Sequence, residues 1–244
     1  MTVEHMDGTQ LALITGAASG LGREVARQLG AVGMRTVITS RSPDHAAATA
    51  AEIGAIALEV GLDVADDDSV NIAARAVEEQ FGRLDVLVNN AAAYVDWTET
   101  VSGASLADAR RVLETNLFGA WRMTQALLPM LLAGSAPRIV NVSSGAGSHG
   151  DAQFGLIARG GAAASYGISK AALNAMTSTL AAELQDTKLL VNAVCPGLTA
   201  TYPGAEAMGA RPVEVSARGI VWAATLGADG PSGGFFRDMQ PLPW

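Results

Sequence analysis

Apolar runs of strand length alternate with stretches of helical period along the chain. Leu11 to Thr15 precedes Leu21 to Ala31, Thr36 to Ser40 precedes Pro43 to Ile53, and Ala55 to Val60 precedes Asp66 to Phe81. The order continues with Leu84 to Val88, a long helix around Leu106 to Leu132, Arg138 to Val142, a helix from Ser165 to Leu184, and Leu189 to Cys195. Gly234 to Phe236 makes a seventh strand. Asp85-Val-Leu-Val-Asn89 and Ile139-Val-Asn-Val142 are nearly continuous in apolar residues, as strands covered on both faces require. The pattern predicts an α/β chain whose sheet is parallel and doubly wound, with about seven strands and helices on both faces.

Local chemistry marks the boundaries. Ser42-Pro43-Asp44 offers an N-cap followed by proline at the first helical position, and Asp66-Asp67-Asp68 places negative charge at a helix's positive end. The Gly/Ala/Ser-rich stretches Gly145 to Gly161 and Tyr202 to Arg211 are short and lie inside the alternation, so they read as loops. One domain over residues 1–244 is expected.

Composition narrows the function. Hydrophobic residues make up 49% of the 244 and charged residues 16%, which argues against disorder and coiled coil. A net charge of -8 repels polyphosphate and anionic membrane surfaces, so neither nucleic acid nor membrane is an expected partner. The lone Cys195 closes no intramolecular disulfide, no Cys/His cluster has metal-ligand spacing, and a cytoplasmic protein without a metal is expected. Met1 to Gln10 is polar, unlike a signal peptide, and no later run has membrane-spanning length.

Thr15-Gly-Ala-Ala-Ser-Gly-Leu-Gly22 follows the first strand and opens the first helix. Gly16 permits a tight turn, while Gly20 and Gly22 let backbone approach a pyrophosphate at the helix N-terminus, with Ser19 and Leu21 beside it. A plain turn uses the same residues; the strand before and helix after favour phosphate binding. Where folds that bind NAD carry an acid for the ribose 2′-hydroxyl, this chain reads Ile38-Thr-Ser-Arg-Ser42, with no Asp or Glu between Glu24 and Asp44. Arg41 suits a 2′-phosphate, so NADP(H) is the expected cofactor; the plainer alternative is a solvated surface arginine.

Tyr166-Gly-Ile-Ser-Lys170 puts a phenol and an ammonium on one helix face. A cation lowers a phenol's pKa toward neutrality, as proton transfer needs. Lys170 and Lys188 are the only lysines in the chain. Ser144, closing the preceding strand's Ser143-Ser144, is placed to hydrogen-bond a carbonyl oxygen. A helix-surface Tyr/Lys pair is the competing explanation.

Together these residues resemble the short-chain dehydrogenase/reductase family, in its single-domain branch, over essentially the whole chain. Leu62-Asp63-Val64, Asn89-Asn90-Ala91, Thr115-Asn116 and Cys195-Pro196-Gly197 occur in family order. The resemblance implies a Rossmann-like fold in which Tyr166 is the acid/base, Lys170 lowers its pKa and holds ribose, Ser144 orients the carbonyl and Asn116 supports a water relay. It implies that Asp63, with Val64, contacts adenine, that Asn90 and Ala91 lie against the adenosine ribose, and that Pro196, Gly197, Thr199 and Thr201 run along the nicotinamide. Asp63 as a turn cap, Asn89 and Asn90 as turn residues and Asn116 as a mid-helix polar residue are the ordinary alternatives.

Arg41, the Pro196 to Thr201 run and Gly230 to Asp238 look most like the NADPH carbonyl reductases, which interconvert a ketone or aldehyde with an alcohol. A non-catalytic NADP-binding sensor is the alternative; a lyase or dehalogenase is disfavoured by the complete glycine loop. Two departures stand out. Ala92 replaces the family's usual glycine, so the backbone beside the cofactor is expected to differ. The stretch from Ser144 to Tyr166 is longer than in most members, and its Gly145 to Ala164 part is expected either to cover the substrate or to obstruct the helix pairing by which relatives dimerise, leaving homo-oligomer and monomer both open. Tyr94, Trp97 and Phe154 line an apolar pocket or simply pack a loop. His149 is expected in an exposed loop and Cys195 as a small buried residue, with His5 and His45 isolated.

Overall fold

The computed structural model describes residues 9–201 and 204–244. The polar lead containing His5 and the start of the Tyr202 to Arg211 loop lie outside the described residues. Strands β1 (Leu11–Ile14), β2 (Arg35–Ile38), β3 (Ile56–Ala57), β4 (Val86–Asn89), β5 (Arg138–Val142), β6 (Leu190–Val194), β7 (Phe235–Arg237) and β8 (Gln240–Pro241) form one sheet in the order β3-β2-β1-β4-β5-β6-β7-β8. Every pairing is parallel except β7 with β8. Helices α1 (Gly20–Ala31), α2 (Pro43–Ile53), α3 (Asp67–Phe81), α4 (Leu106–Leu113), α5 (Ala120–Leu132), α6 (Ala164–Glu183) and α7 (Val213–Ala224) connect them.

Alternation along β1 divides the core. Leu11 and Leu13 join Val77, Met123, Leu127 and Ala181 on one face, whereas Ala12 and Ile14 join Val25, Leu29, Ile220 and Ala224 on the other. All four β1 side chains are buried, as the unbroken apolar run required. The caps also follow the sequence: Ser42 Oγ accepts from the His45 N–H at the start of α2, and Asp66 Oδ1 accepts from the Ser69 N–H at 2.6 Å for α3.

Three details differ from the pattern. The eighth strand exists because Asp238 and Met239 both take positive φ (53° and 64°), forming a two-residue hairpin turn that sends the chain back antiparallel. Asp-Met is a poor advertisement for such a turn; the Arg211 guanidinium holds Asp238 Oδ1 at 2.6 Å. The strand expected over Ala55 to Val60 contracts to Ile56–Ala57. The long helix is divided by a widened π turn over Glu114–Gly119, which joins α4 to α5. Among the described residues no helix is long and apolar enough to cross a membrane.

Asp85, just before β4 and buried, ties β1 to the sheet: its Oδ2 accepts from the Leu11 N–H at 2.9 Å and its Oδ1 from the Ser135 N–H at 3.3 Å. Asp85→Ala strands both donors, so urea denaturation should show a loss of about 1–3 kcal/mol. An unchanged midpoint would contradict this.

Candidate active site

The strand order reverses between β1 and β4, opening a crevice at their carboxyl ends. One hydroxyl joins the two loops there. Thr15 Oγ1 accepts from the Asn90 and Ala91 N–H groups, each at 3.0 Å, and the Asn90 amide donates to Thr15 O at 2.8 Å and Gly16 O at 3.1 Å. Gly22 lies beneath this clasp: a Cβ there would stand 2.5 Å from Asn90 Nδ2 and 2.8 Å from Gly16 O. Gly16, at φ 63°, would put a Cβ 3.0 Å from the Ala91 Cα. Both glycines are therefore demanded by packing of loop on loop, and the Asn90 side chain is engaged with the glycine loop.

Gly16, Ser19 and Gly20 are exposed, Leu21 is half-buried, and Thr201 lies across from Gly20. Ser19 makes no side-chain cap and the first turn of α1 carries no acid, so its leading N–H groups face outward uncompensated by side chains. Arg41 is exposed at the end of β2 and, among the described residues, forms no ion pair. Asp63 is exposed too, closing a turn through Oδ1 to the Ala65 N–H at 3.0 Å, while Val64 is buried and packs near Gly119. Ala92 has no positive φ, so replacing glycine leaves the backbone there unstrained.

The Pro196 to Thr201 run is braced by Arg211, a residue no motif pointed to. Its guanidinium donates to Pro196 O (Nε at 2.9 Å) and to Ser216 Oγ at 3.2 Å, and Ser216 Oγ lies 2.9 Å from Thr199 Oγ1. Arg211 also explains Gly197, which at φ 74° would drive a Cβ to 2.9 Å from that guanidinium. Cys195 is buried, its sulfur accepting from Gly145 N at 3.1 Å, Gly197 N at 3.4 Å and Arg237 Nε at 3.3 Å.

Helix α6 carries Tyr166 and Lys170, and both are buried. Lys170 Nζ donates to Val142 O at the end of β5 at 2.9 Å and lies 5.7 Å from the centre of the Tyr166 ring. Burial pushes the Lys170 ammonium down to about 8. Burial raises the Tyr166 phenol, the Tyr94 phenol raises it further, and a side-chain hydrogen bond with Ser144 opposes them. The sequence led us to expect Lys170 to lower that phenol; here the net direction is upward, with desolvation the largest cause.

Asn116, in the π turn and fully buried, reads both sides of one peptide: Oδ1 accepts from Ala93 N at 2.7 Å, and Nδ2 donates to Ala93 O at 2.9 Å. The same Nδ2 donates to Ser169 Oγ at 3.0 Å, and that hydroxyl donates to Tyr166 O at 2.7 Å. Asn116 thus links the loop after β4 to α6. Glu99 reinforces the junction, its Oε2 accepting from Ser165 N at 2.8 Å and its carbonyl from Ala164 N at 3.2 Å. It supplies the negative group at an N-terminus whose own cap, Ala163, has no side-chain acceptor.

Tyr94 and Trp97, on the same loop, pack against Tyr166, whereas Phe154 faces the Arg237 guanidinium 5.5 Å away. The Gly145 to Ala164 segment begins tied to the C-terminal residues: Ser148 Oγ donates to Pro243 O at 2.6 Å, His149 N to Trp244 O at 2.9 Å, and Arg237 pairs with Asp151. His149 is exposed, and farther along Ile157 is 81% exposed.

The short chain dehydrogenase family profile matches residues 10–208. The chain belongs to the short-chain dehydrogenase family. Among relatives of this oxidoreductase, a 3-oxoacyl-[acyl-carrier-protein] reductase of Synechocystis sp. is 36% identical over 196 residues, 79% of this chain and 75% of that protein. Crystal structures give the same grouping. NADPH-bound carbonyl reductase from chicken fatty liver aligns with a TM-score of 0.81 and 26% identity over 97% of this dehydrogenase and 99% of that chain. 3-Ketoacyl-(acyl-carrier-protein) reductase from Brucella melitensis complexed with NADH aligns at 0.81 and 26%, over 94% and 96%. A nicotinamide cofactor is common to both structures.

With two lysines in the sequence, protein labelled with carbon-13 at lysine Cε should give two side-chain signals, and Lys188→Arg identifies the other. Lys170 should lose its proton as pH rises through about 8; titration at the ordinary 10.5 would rule out the desolvated ammonium.

Proposed function

We propose that this short-chain dehydrogenase reduces ketones or aldehydes with NADPH, or runs the reverse oxidation, with Tyr166 as acid/base. The observation carrying this is the burial of Tyr166 and Lys170 on one face of α6, with Ser144 bonded to the phenol, beside the crevice at the strand reversal.

The crevice fits a dinucleotide. An outward-facing helix N-terminus without side-chain caps suits a pyrophosphate, and the left-handed, exposed Gly20 keeps that approach free of a side chain. An arginine that forms no ion pair among the described residues, on a turn with no acid between β2 and Asp44, suits a 2′-phosphate. Arg41 is therefore assigned to NADP(H) specificity. Asp63, Val64, Asn90 and Ala91 form the adenosine side and Pro196, Gly197, Thr199 and Thr201 the nicotinamide side. Bound there, the nicotinamide supplies or accepts a hydride.

The chain's own residues handle the proton. Burial keeps the Tyr166 phenol protonated, and the neighbouring Lys170 ammonium has to stabilise the phenolate for that proton to be given up. As the carbonyl carbon gains the hydride, the carbonyl oxygen takes the Tyr166 proton; the phenolate so formed is stabilised by the neighbouring ammonium and regains its proton from solvent. Ser144 holds the carbonyl oxygen beside the phenol. Asn116 positions the loop and α6 relative to each other. The names of relatives, a ketoacyl reductase and a carbonyl reductase, agree with carbonyl substrates.

Tyr166→Phe should lower kcat for NADPH-dependent reduction by about 10²-fold or more while leaving NADPH affinity within about twofold. Unchanged turnover rejects the mechanism. Arg41→Ala should weaken NADPH by about tenfold or more, the value of one charge-assisted hydrogen bond, with little effect on NADH. Equal losses with the two cofactors would show that Arg41 does not read the phosphate.

A further inference from the structure

Three rings meet at the reactive phenol. Tyr94 stacks on Tyr166 with centroids 5.4 Å apart and planes 23° from parallel; Trp97 meets the same ring edge-on at 5.4 Å and 76°. Tyr94 and Trp97 stand 5.9 Å apart at 53°, forming a corner of two π surfaces. Tyr166 keeps 7% of its surface exposed, yet Tyr94 keeps 54% and Trp97 39%. The layer over the reactive residue is therefore one side chain thick and wet on its outer side.

The backbone beneath those rings is fixed at both ends. Asn116 grips Ala93 through its N–H and its carbonyl, Arg111 Nη2 donates to Tyr94 O at 3.1 Å, and Glu99 is bonded twice to the start of α6. Between these anchors, Asp96 Oδ1 accepts from the Thr98 N–H at 2.8 Å. The loop that carries the two rings is thus held at both ends, while exposed side chains on it rotate quickly. Among the described residues, neither the Tyr94 hydroxyl nor the Trp97 indole N–H makes a hydrogen bond to another protein group. Large aromatic surface left outward beside a buried reactive group is surface for a ligand.

Resting on the carbonyl reductase reading, we infer that Tyr94 and Trp97 form an aromatic slot that selects carbonyl compounds whose flanking group is planar and conjugated. Both rings pack on Tyr166, so the group attached to a carbonyl held at that phenol lies beside them. A flat π system packs offset or edge-on to both rings, whereas a puckered ring of the same size contacts them only through hydrogen edges.

The test compares acetophenone with cyclohexyl methyl ketone, equal in size but differing in planarity, using protein loaded with NADP(H). Turnover is followed by NADPH consumption and binding by calorimetry. The ratio of kcat/KM for the aromatic over the saturated ketone should fall by about tenfold in Tyr94→Leu and Trp97→Leu, and stay within about twofold in Tyr94→Phe and Trp97→Phe. Leucine keeps apolar bulk, and both positions are solvent-facing, so the fold survives. Loss of both ketones in equal proportion, or an unmoved ratio, overturns the slot and leaves the reductase standing. A wild-type protein that binds acetophenone in preference, loses that preference in Trp97→Leu, and reduces neither ketone keeps the slot and overturns the reductase. Equal binding of the two ketones by the wild type overturns the slot.

Discussion

A single threonine hydroxyl holds the crevice together. Thr15 Oγ1 accepts from two consecutive N–H groups of the loop after β4, and Asn90 answers by donating into the loop after β1. Parallel strands that diverge at their carboxyl ends leave two loops with unpaired backbone groups; here those groups satisfy one another. The packing is so close that glycine is imposed at Gly16 and Gly22. Removal of that oxygen would leave two amides without a partner, with the Asn90 amide still joining the two loops. The outward face of the same loop stays free because its inward face is already satisfied.

The second constraint is dielectric. Tyr166 and Lys170 lie where each is driven toward its neutral form, the phenol upward and the ammonium downward. Such a pair is sensitive to any charge or dipole brought beside it, which is the condition for a site that exchanges protons only when a ligand is in place. The surrounding scaffold is built from long-range bonds: Asn116 to Ala93 and Ser169, Glu99 to the head of α6, Arg211 under the Pro196 turn. Apart from the Asn116 bond to the Ser169 hydroxyl, each takes a backbone group that a helix end or turn would otherwise leave open.

The amino-acid pattern contained the alternation of strands and helices, the caps at Ser42 and Asp66, and the grouping of Tyr166 with Lys170, since each depends on neighbours a few residues apart. What lay hidden depends on partners far along the chain. Glu99 caps α6 by bonding Ser165, 66 residues later, and Arg211 reaches back to Pro196 across 15. The π turn at Glu114–Gly119 leaves the apolar periodicity nearly intact and so reads as plain helix. Asp238 and Met239 take left-handed backbone under tertiary restraint, so the extra strand carried no turn signature. Aromatic packing around Tyr166 was open to two interpretations because ring contacts follow loop geometry, not spacing.

The sheet ends in two-residue strands on both sides, β3 at one edge and β8 at the other. An uncovered strand offers a ladder to foreign chains in proportion to its length, and Pro241 removes one of the few donors β8 would present. Margins this short limit the ladder that an almost continuously apolar interior sheet offers to a foreign strand.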